Sequence, residues 1–237
     1  MTALHGFLGL PADWDSIPCT ARAEKPDWMP MLAALPGGPG DSALPDLARM
    51  MNRSDLCPPR AELLLGYSMG GRIALHMLLA PGAERWGRAI IVSASPGLSN
   101  PSERMPRLES DGEWARRFRH DPWEDVVSAW NSQPVFATDG ANPLPRREAE
   151  FDRDDLWLAL LRGSIARQED LRPQLKVLQT PVLWLAGERD AKYAALALEC
   201  AALNPNFRCT LIPAAGHRLP WTAPDAFERA IADFAPL

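Results

Sequence analysis

Lysine is scarce in this 237-residue chain: only Lys25, Lys176 and Lys192 stand among its 25 basic residues. The rest are arginines, side chains suited to a bidentate grip on carboxylate or phosphate. Most of that bias reads as the codon habit of a GC-rich genome, which leaves room for a few arginines with a task. Positive charge is not in excess, since 30 acidic residues bring the net charge to −5. A nucleic-acid binder carries the opposite balance, so no nucleic-acid partner is expected. No apolar run reaches the roughly 18 residues that a membrane span needs, so no membrane insertion is expected. The opening MTALHGF has neither a basic segment nor a hydrophobic stretch, which reads as no signal peptide and a cytoplasmic location. Cysteine is sparse as well. Cys19, Cys57, Cys200 and Cys209 form no CxxC pair and no ligand spacing with histidine. They read as reduced, partly buried thiols rather than a disulfide frame or a zinc site, and neither a metal nor a cofactor is expected.

What is present is apolar sequence broken into short runs. With 46% hydrophobic residues the chain has room for one substantial core and an inserted subdomain, not for two large domains. Strand-like runs occur at Met31–Leu35, Glu62–Leu65, Ala89–Ser93, Val182–Ala186 and Arg208–Ile212. Several are apolar throughout, as in parallel strands covered on both faces. Helical patterns at Met69–Ala80, Ala191–Leu203 and Pro224–Phe234 lie between and after them. Alternating strands and helices predict an α/β fold, a mostly parallel sheet with helices on both faces and right-handed crossovers. From about Asn100 to Gln174 the rhythm breaks into charged, aromatic sequence without a strand. Helices at Trp114–Arg119, Trp123–Trp130 and Asp154–Ala166 are expected there. The division is therefore a core of residues 1–99 and 171–237, with residues 100–170 inserted as a helical cap over a site at the carboxyl ends of the strands.

The sharpest motif is Gly66-Tyr67-Ser68-Met69-Gly70, between the strand AELLL and the helix MGGRIALHMLL. A serine on a strained strand-to-helix turn, flanked by glycines that let strand and helix close together, is a nucleophile elbow. The helix start adds N–H donors and a positive dipole end for developing negative charge. A serine nucleophile or base needs a histidine, and the histidine needs an acid. His217 follows the last strand and Asp190 the preceding one, so both side chains can converge on Ser68. Glu188 competes with Asp190 but falls earlier in its turn and ranks below it. The order Ser68, Asp190, His217 is that of α/β-hydrolases. His5-Gly6-Phe7 matches the oxyanion loop of that fold, which makes the N–H groups of Phe7 and Met69 the expected donors. His5 is expected to order that loop, His76 to be buried and satisfied, and His120 to lie on the surface.

Longer stretches carry a closer likeness. LHGFLG, GYSMGGRIALHM, SPGLSN followed by ER and R, W..QPVFA, LAGERDAKY and AGHRLPWTAP resemble 2-succinyl-6-hydroxy-2,4-cyclohexadiene-1-carboxylate synthases. These are α/β-hydrolase-fold lyases of menaquinone biosynthesis, and the likeness runs along nearly the whole chain. It implies elimination of pyruvate from a 5-enolpyruvyl precursor bearing three carboxylates, begun by proton removal through Ser68 and His217. It implies no metal and no acyl-enzyme. It also implies arginines that hold the tricarboxylate: Arg72, one helical turn after Ser68, and Arg107 in SERMPR. A third is expected before the helix ending LRGS, where Arg146 and Arg147 both lie near with the local spacing one residue off, and Arg147 is favoured. Tyr67 and Trp130 match positions lining the pocket, whereas Arg116, Arg117 and Arg119 read as a solvated helix face.

Two departures stand out. The family has two further strands before the HGF loop, whereas four residues precede His5 here, so the sheet is expected to lack its N-terminal edge strands and expose an edge. The loop usually written LPGHGxS is Leu35-Pro36-Gly37-Gly38-Pro39-Gly40-Asp41-Ser42, without the histidine. The triad alone also suits an esterase or a C–C bond hydrolase, and the fold also suits a non-catalytic ligand-binding protein. The sequence sets no oligomeric state.

Overall fold

The computed structural model describes residues 1–53 and 62–235. Their sheet has five parallel strands in sequential order: β1 (Thr2–Leu4), β2 (Leu63–Tyr67), β3 (Arg88–Val92), β4 (Val182–Gly187) and β5 (Phe207–Ile212). Around it lie α1 (Trp28–Ala33), α2 (Leu44–Arg53), α3 (Met69–Leu79), α4 (Arg104–His120), α5 (Trp123–Asn131), α6 (Arg153–Arg162), α7 (Arg172–Leu175), α8 (Ala191–Ala202), α9 (Leu219–Thr222) and α10 (Pro224–Phe234).

Side chains alternate across a strand, and the central strands divide their apolar residues accordingly. Leu64, Ala89, Ile91, Val182 and Trp184 join the core shared with α2, α3 and α8, which extends to Phe118 and Leu156 of α4 and α6. Leu63, Leu65, Ile90, Val92, Leu183 and Leu185 face the opposite core with Trp14, Phe227 and Ile231. Burial on both faces explains why these runs are apolar throughout. Strand β5, on an edge, alternates instead, with Arg208 and Thr210 exposed.

Three expectations are corrected. Met31–Leu35 is not a strand: α1 occupies Trp28–Ala33, capped by the Asp27 side chain, which accepts from Met29 N–H. Pro30 falls in the first turn, where it blocks no helical bond, and Trp28, Met29 and Leu32 form the buried stripe. A five-residue apolar run carries no period that separates strand from buried helix. The helix expected at Trp114–Arg119 begins ten residues earlier, at Arg104, because Pro106 also sits in a first turn. The outer edge of β1 is not open either. Ala3 N–H donates to Glu24 C=O at 2.8 Å and Glu24 N–H to Met1 C=O at 3.0 Å, so the returning chain covers it. Cys57 lies outside the described residues; Cys19, Cys200 and Cys209 are free and at least partly buried.

Candidate active site

Ser68 joins β2 to α3 with φ of 52° and ψ of −111°, a backbone that L-residues rarely hold. The neighbouring glycines make the turn possible. Gly66 lies against the backbone of Gly70 and Gly71, and Gly70 against the carbonyls of Leu4 and His5, with no space for a Cβ at either. Ser68 N–H is tied to Val92 C=O at 2.8 Å, and its carbonyl accepts from Arg72 N–H at 3.1 Å. Its hydroxyl, at the helix N-cap position, makes no capping bond. It meets His217 Nε2 at 3.2 Å instead.

His217 follows β5, and its Nδ1 lies 2.6 Å from Asp190 Oδ2, with both side chains buried. Asp190 likewise stands at the N-cap of α8 without capping it, its carboxylate turned to the imidazole. Glu188 stays in the exposed turn and accepts from Ala214 N–H. The expected Ser68, His217 and Asp190 are thus brought into one hydrogen-bonded chain, while Glu188 is not. Tyr67, Phe136 and Tyr193 enclose the imidazole, their ring centroids 5.6, 5.6 and 4.7 Å away.

Phe7 and Met69, expected to carry the oxyanion donors, both line the cavity that holds Ser68. Met69 begins α3, so its N–H has no carbonyl one turn earlier to donate to. Phe7 lines the same cavity as Ser68 and packs on Phe118 and Trp130. His5 holds the loop as expected: it stacks on Trp28, Trp28 Nε1 donates to its carbonyl at 2.8 Å, and its Nδ1 faces Gly6 C=O.

Two cavity lobes meet at Phe7, Ser68, Trp130 and Phe136. The larger, about 240 Å³, reaches Arg72, Arg107, Asp111, Ser164, Lys192 and Tyr193. Arg72 is buried, donating from Nε to Gln168 Oε1 at 2.8 Å and from Nη2 to Gly163 C=O at 2.6 Å. Burial, then the charge of Arg107, lowers its pKa to about 10, which still leaves it charged at neutral pH. Arg107 donates to Asp111 at 2.8 Å, and Asp111 accepts a second bond from Ser164. The smaller lobe, about 60 Å³, is lined by Tyr67, Asn131, Arg146, Arg218 and Trp221 among others.

Arg147 is corrected. Its side chain is 81% exposed and pairs with Glu150, whereas Arg146 turns inward onto Asp13 with bonds of 2.8 and 2.6 Å. Neighbouring residues on an extended segment point to opposite sides, and only packing selects between them. His76 is buried as expected but not satisfied, for Nε2 has no partner among the described residues. Burial, helped by Arg72, pushes its pKa down to about 4. His120 is exposed, and Arg116, Arg117 and Arg119 pair with surface acids.

Sequence reasoning assigned no role to Tyr193, Gln168 or Arg218. The rarity of tyrosine was a usable signal, because both tyrosines of the chain, Tyr67 and Tyr193, pack on His217. Burial raises the pKa of each phenol, so both remain neutral.

No metal-holding cluster occurs among the described residues, and none of their helices is long and apolar enough to cross a membrane. Comparison with known proteins places this geometry. A model of the alpha/beta hydrolase family matches residues 3–230. The 2-succinyl-6-hydroxy-2,4-cyclohexadiene-1-carboxylate synthase of Salmonella newport is 34% identical over 90% of this chain and 84% of its own length. The synthase of the same name from Citrobacter koseri is 35% identical over the same shares. Among solved structures, MenH from S. aureus has a TM-score of 0.78 at 24% identity, covering 99% of this chain and 93% of its own. A thermophilic esterase from Thermogutta terrifontis, solved with malate bound, has a TM-score of 0.68 at 20% identity, covering 99% and 88%. Both structural likenesses speak to the fold alone. On the sequence matches, the chain belongs to the alpha/beta hydrolase family and, within it, to the 2-succinyl-6-hydroxy-2,4-cyclohexadiene-1-carboxylate synthases.

Proposed function

We propose that this chain is a carbon–oxygen lyase that eliminates pyruvate from 2-succinyl-5-enolpyruvyl-6-hydroxy-3-cyclohexene-1-carboxylate. Ser68, His217 and Asp190 form its proton-transfer chain. The observation that carries the reading is the pairing of that chain with Arg72 and Arg107 in one cavity. A neutral ester needs no such charge, whereas a substrate with three carboxylates does.

His217 accepts the Ser68 proton, and the Ser68 oxygen removes the acidic C–H proton beside the substrate carbonyl. Asp190 keeps Nδ1 of His217 protonated and stabilises the imidazolium that forms. The electron pair left on carbon is delocalised as an enolate, held by the Phe7 and Met69 N–H groups. The ring C–O bond then breaks, a ring C=C bond forms, and the enolate of pyruvate departs; its carbon takes up a proton as His217 gives up the one it accepted, which resets the triad. No atom of Ser68 is acylated. Arg72 and Arg107 hold the carboxylates, Tyr67 and Trp130 shape the wall, and α4 to α6 act as a cap over the site.

The test is a coupled assay with enzymatically generated precursor, following pyruvate through lactate dehydrogenase. Release by the wild type and its loss in Ser68→Ala are expected. A folded wild-type protein that releases no pyruvate, or that turns over activated esters with an acyl-Ser68 burst, sinks the proposal.

A further inference from the structure

Among the described residues the buried arginines are Arg72, Arg162 and Arg218, and each lacks a carboxylate at ion-pair distance. Removing a guanidinium from water is costly unless carbonyls or an incoming anion replace the solvent. Arg162 is served by carbonyls, donating to Leu32, Leu35 and Pro36. Arg72 is served by Gln168 and Gly163 and faces the larger lobe. Arg218 makes the fewest side-chain bonds of the three. Its guanidinium makes one bond, to Asn131 Oδ1 at 2.5 Å, and lies 3.8 Å over the Phe136 ring, facing the smaller lobe.

Asp139 is a nearby opposite charge, but among the described residues no carboxylate bonds the guanidinium. Arg146 is held on both nitrogens by Asp13, so that pair is already balanced. Asp139 accepts from the Arg218 backbone N–H at 2.9 Å, not from the guanidinium. The lobe's volume of about 60 Å³ corresponds to about two water molecules, room for a carboxylate but not for a ring.

We infer that the smaller lobe is a second carboxylate subsite with Arg218 as its cation, separate from the lobe of Arg72 and Arg107 and meeting it at Ser68. This rests on the reading of the site as one built for a polycarboxylate. An anionic group enters the lobe end-on and accepts hydrogen bonds from the Arg218 guanidinium, while Phe136 and Trp221 line the lobe beside it. The carboxylate belongs either to a succinyl arm or to the enolpyruvyl leaving group. Both present the same chemistry to the arginine.

The test titrates the protein with succinate and, separately, with pyruvate. The readout is the fluorescence of Trp130 and Trp221, which line the lobe. In Arg218→Gln the Kd of one probe is expected to rise about 10- to 150-fold, the range for losing a hydrogen bond to a charged group. Binding of neutral dimethyl succinate is expected to stay unchanged. A change confined to succinate assigns the lobe to the succinyl arm, and one confined to pyruvate assigns it to the leaving group. Should Arg218→Gln not fold, Arg218→Lys replaces it, with a smaller rise expected from loss of the fork. Equal Kd values in variant and wild type, or no saturation by either probe in the wild type, overturn the inference. Failure of pyruvate release in the coupled assay would sink the elimination alone and leave these Kd shifts standing.

Discussion

Replacing Arg72 with methionine separates holding the fold from holding the substrate. The side chain ties α3 to the end of α6, through Gly163 C=O and Gln168 Oε1, and faces the larger lobe. Methionine keeps the apolar stem but removes five donors. Orphaning two acceptors costs about 1–3 kcal/mol each, partly offset because no guanidinium has to be desolvated. The urea midpoint should therefore fall only modestly. Losing a charge-assisted bond to a substrate carboxylate costs about 1.5–3 kcal/mol, or roughly 10- to 150-fold in kcat/KM for the tricarboxylate. A small neutral ester, hydrolysed feebly if at all, should lose little. An equal loss on tricarboxylate and ester would refute the role in substrate binding and leave Arg72 a strut.

Asp190→Asn removes the charge that faces His217 Nδ1 at 2.6 Å, and kcat should fall on the order of 10³- to 10⁴-fold with the fold intact. A loss below tenfold in the pyruvate assay would dismiss the orienting role. His76 supplies an acid-stability prediction. Its folded pKa of about 4 lies below the ordinary 6.5, so its full contribution is present above pH 6.5 and is lost as pH falls through 4. The shift corresponds to about 3 kcal/mol between those limits. Urea midpoints of His76→Leu should decline less steeply than the wild type over that window. Parallel curves would show that His76 is not the group responsible.

Much of the site was legible because its chemistry is local. The elbow around Ser68 needs Gly66 for a steric reason that acts within five residues, its contact with Gly70 and Gly71, whereas Gly70 is held to glycine by the carbonyls of Leu4 and His5 at the end of the neighbouring strand. Asp190 and His217 each follow a strand end, so a parallel sheet places both on the same edge. The likeness at Arg72 and Arg107 added the arginines of the larger lobe, while Arg147 failed because one step along an extended segment reverses the side chain.

The linear pattern carries the parallel α/β plan, the order of the triad and the serine turn, since apolar runs, glycine placement and helix starts are written in short stretches of chain. Tertiary packing alone decided that α1 is a helix, that Glu24 closes the edge of β1, and that Arg146 rather than Arg147 turns inward. It also decided that Arg218 is left buried with no carboxylate bonding its guanidinium among the described residues. Each of these depends on which distant surface meets the residue, and a linear pattern does not carry that information.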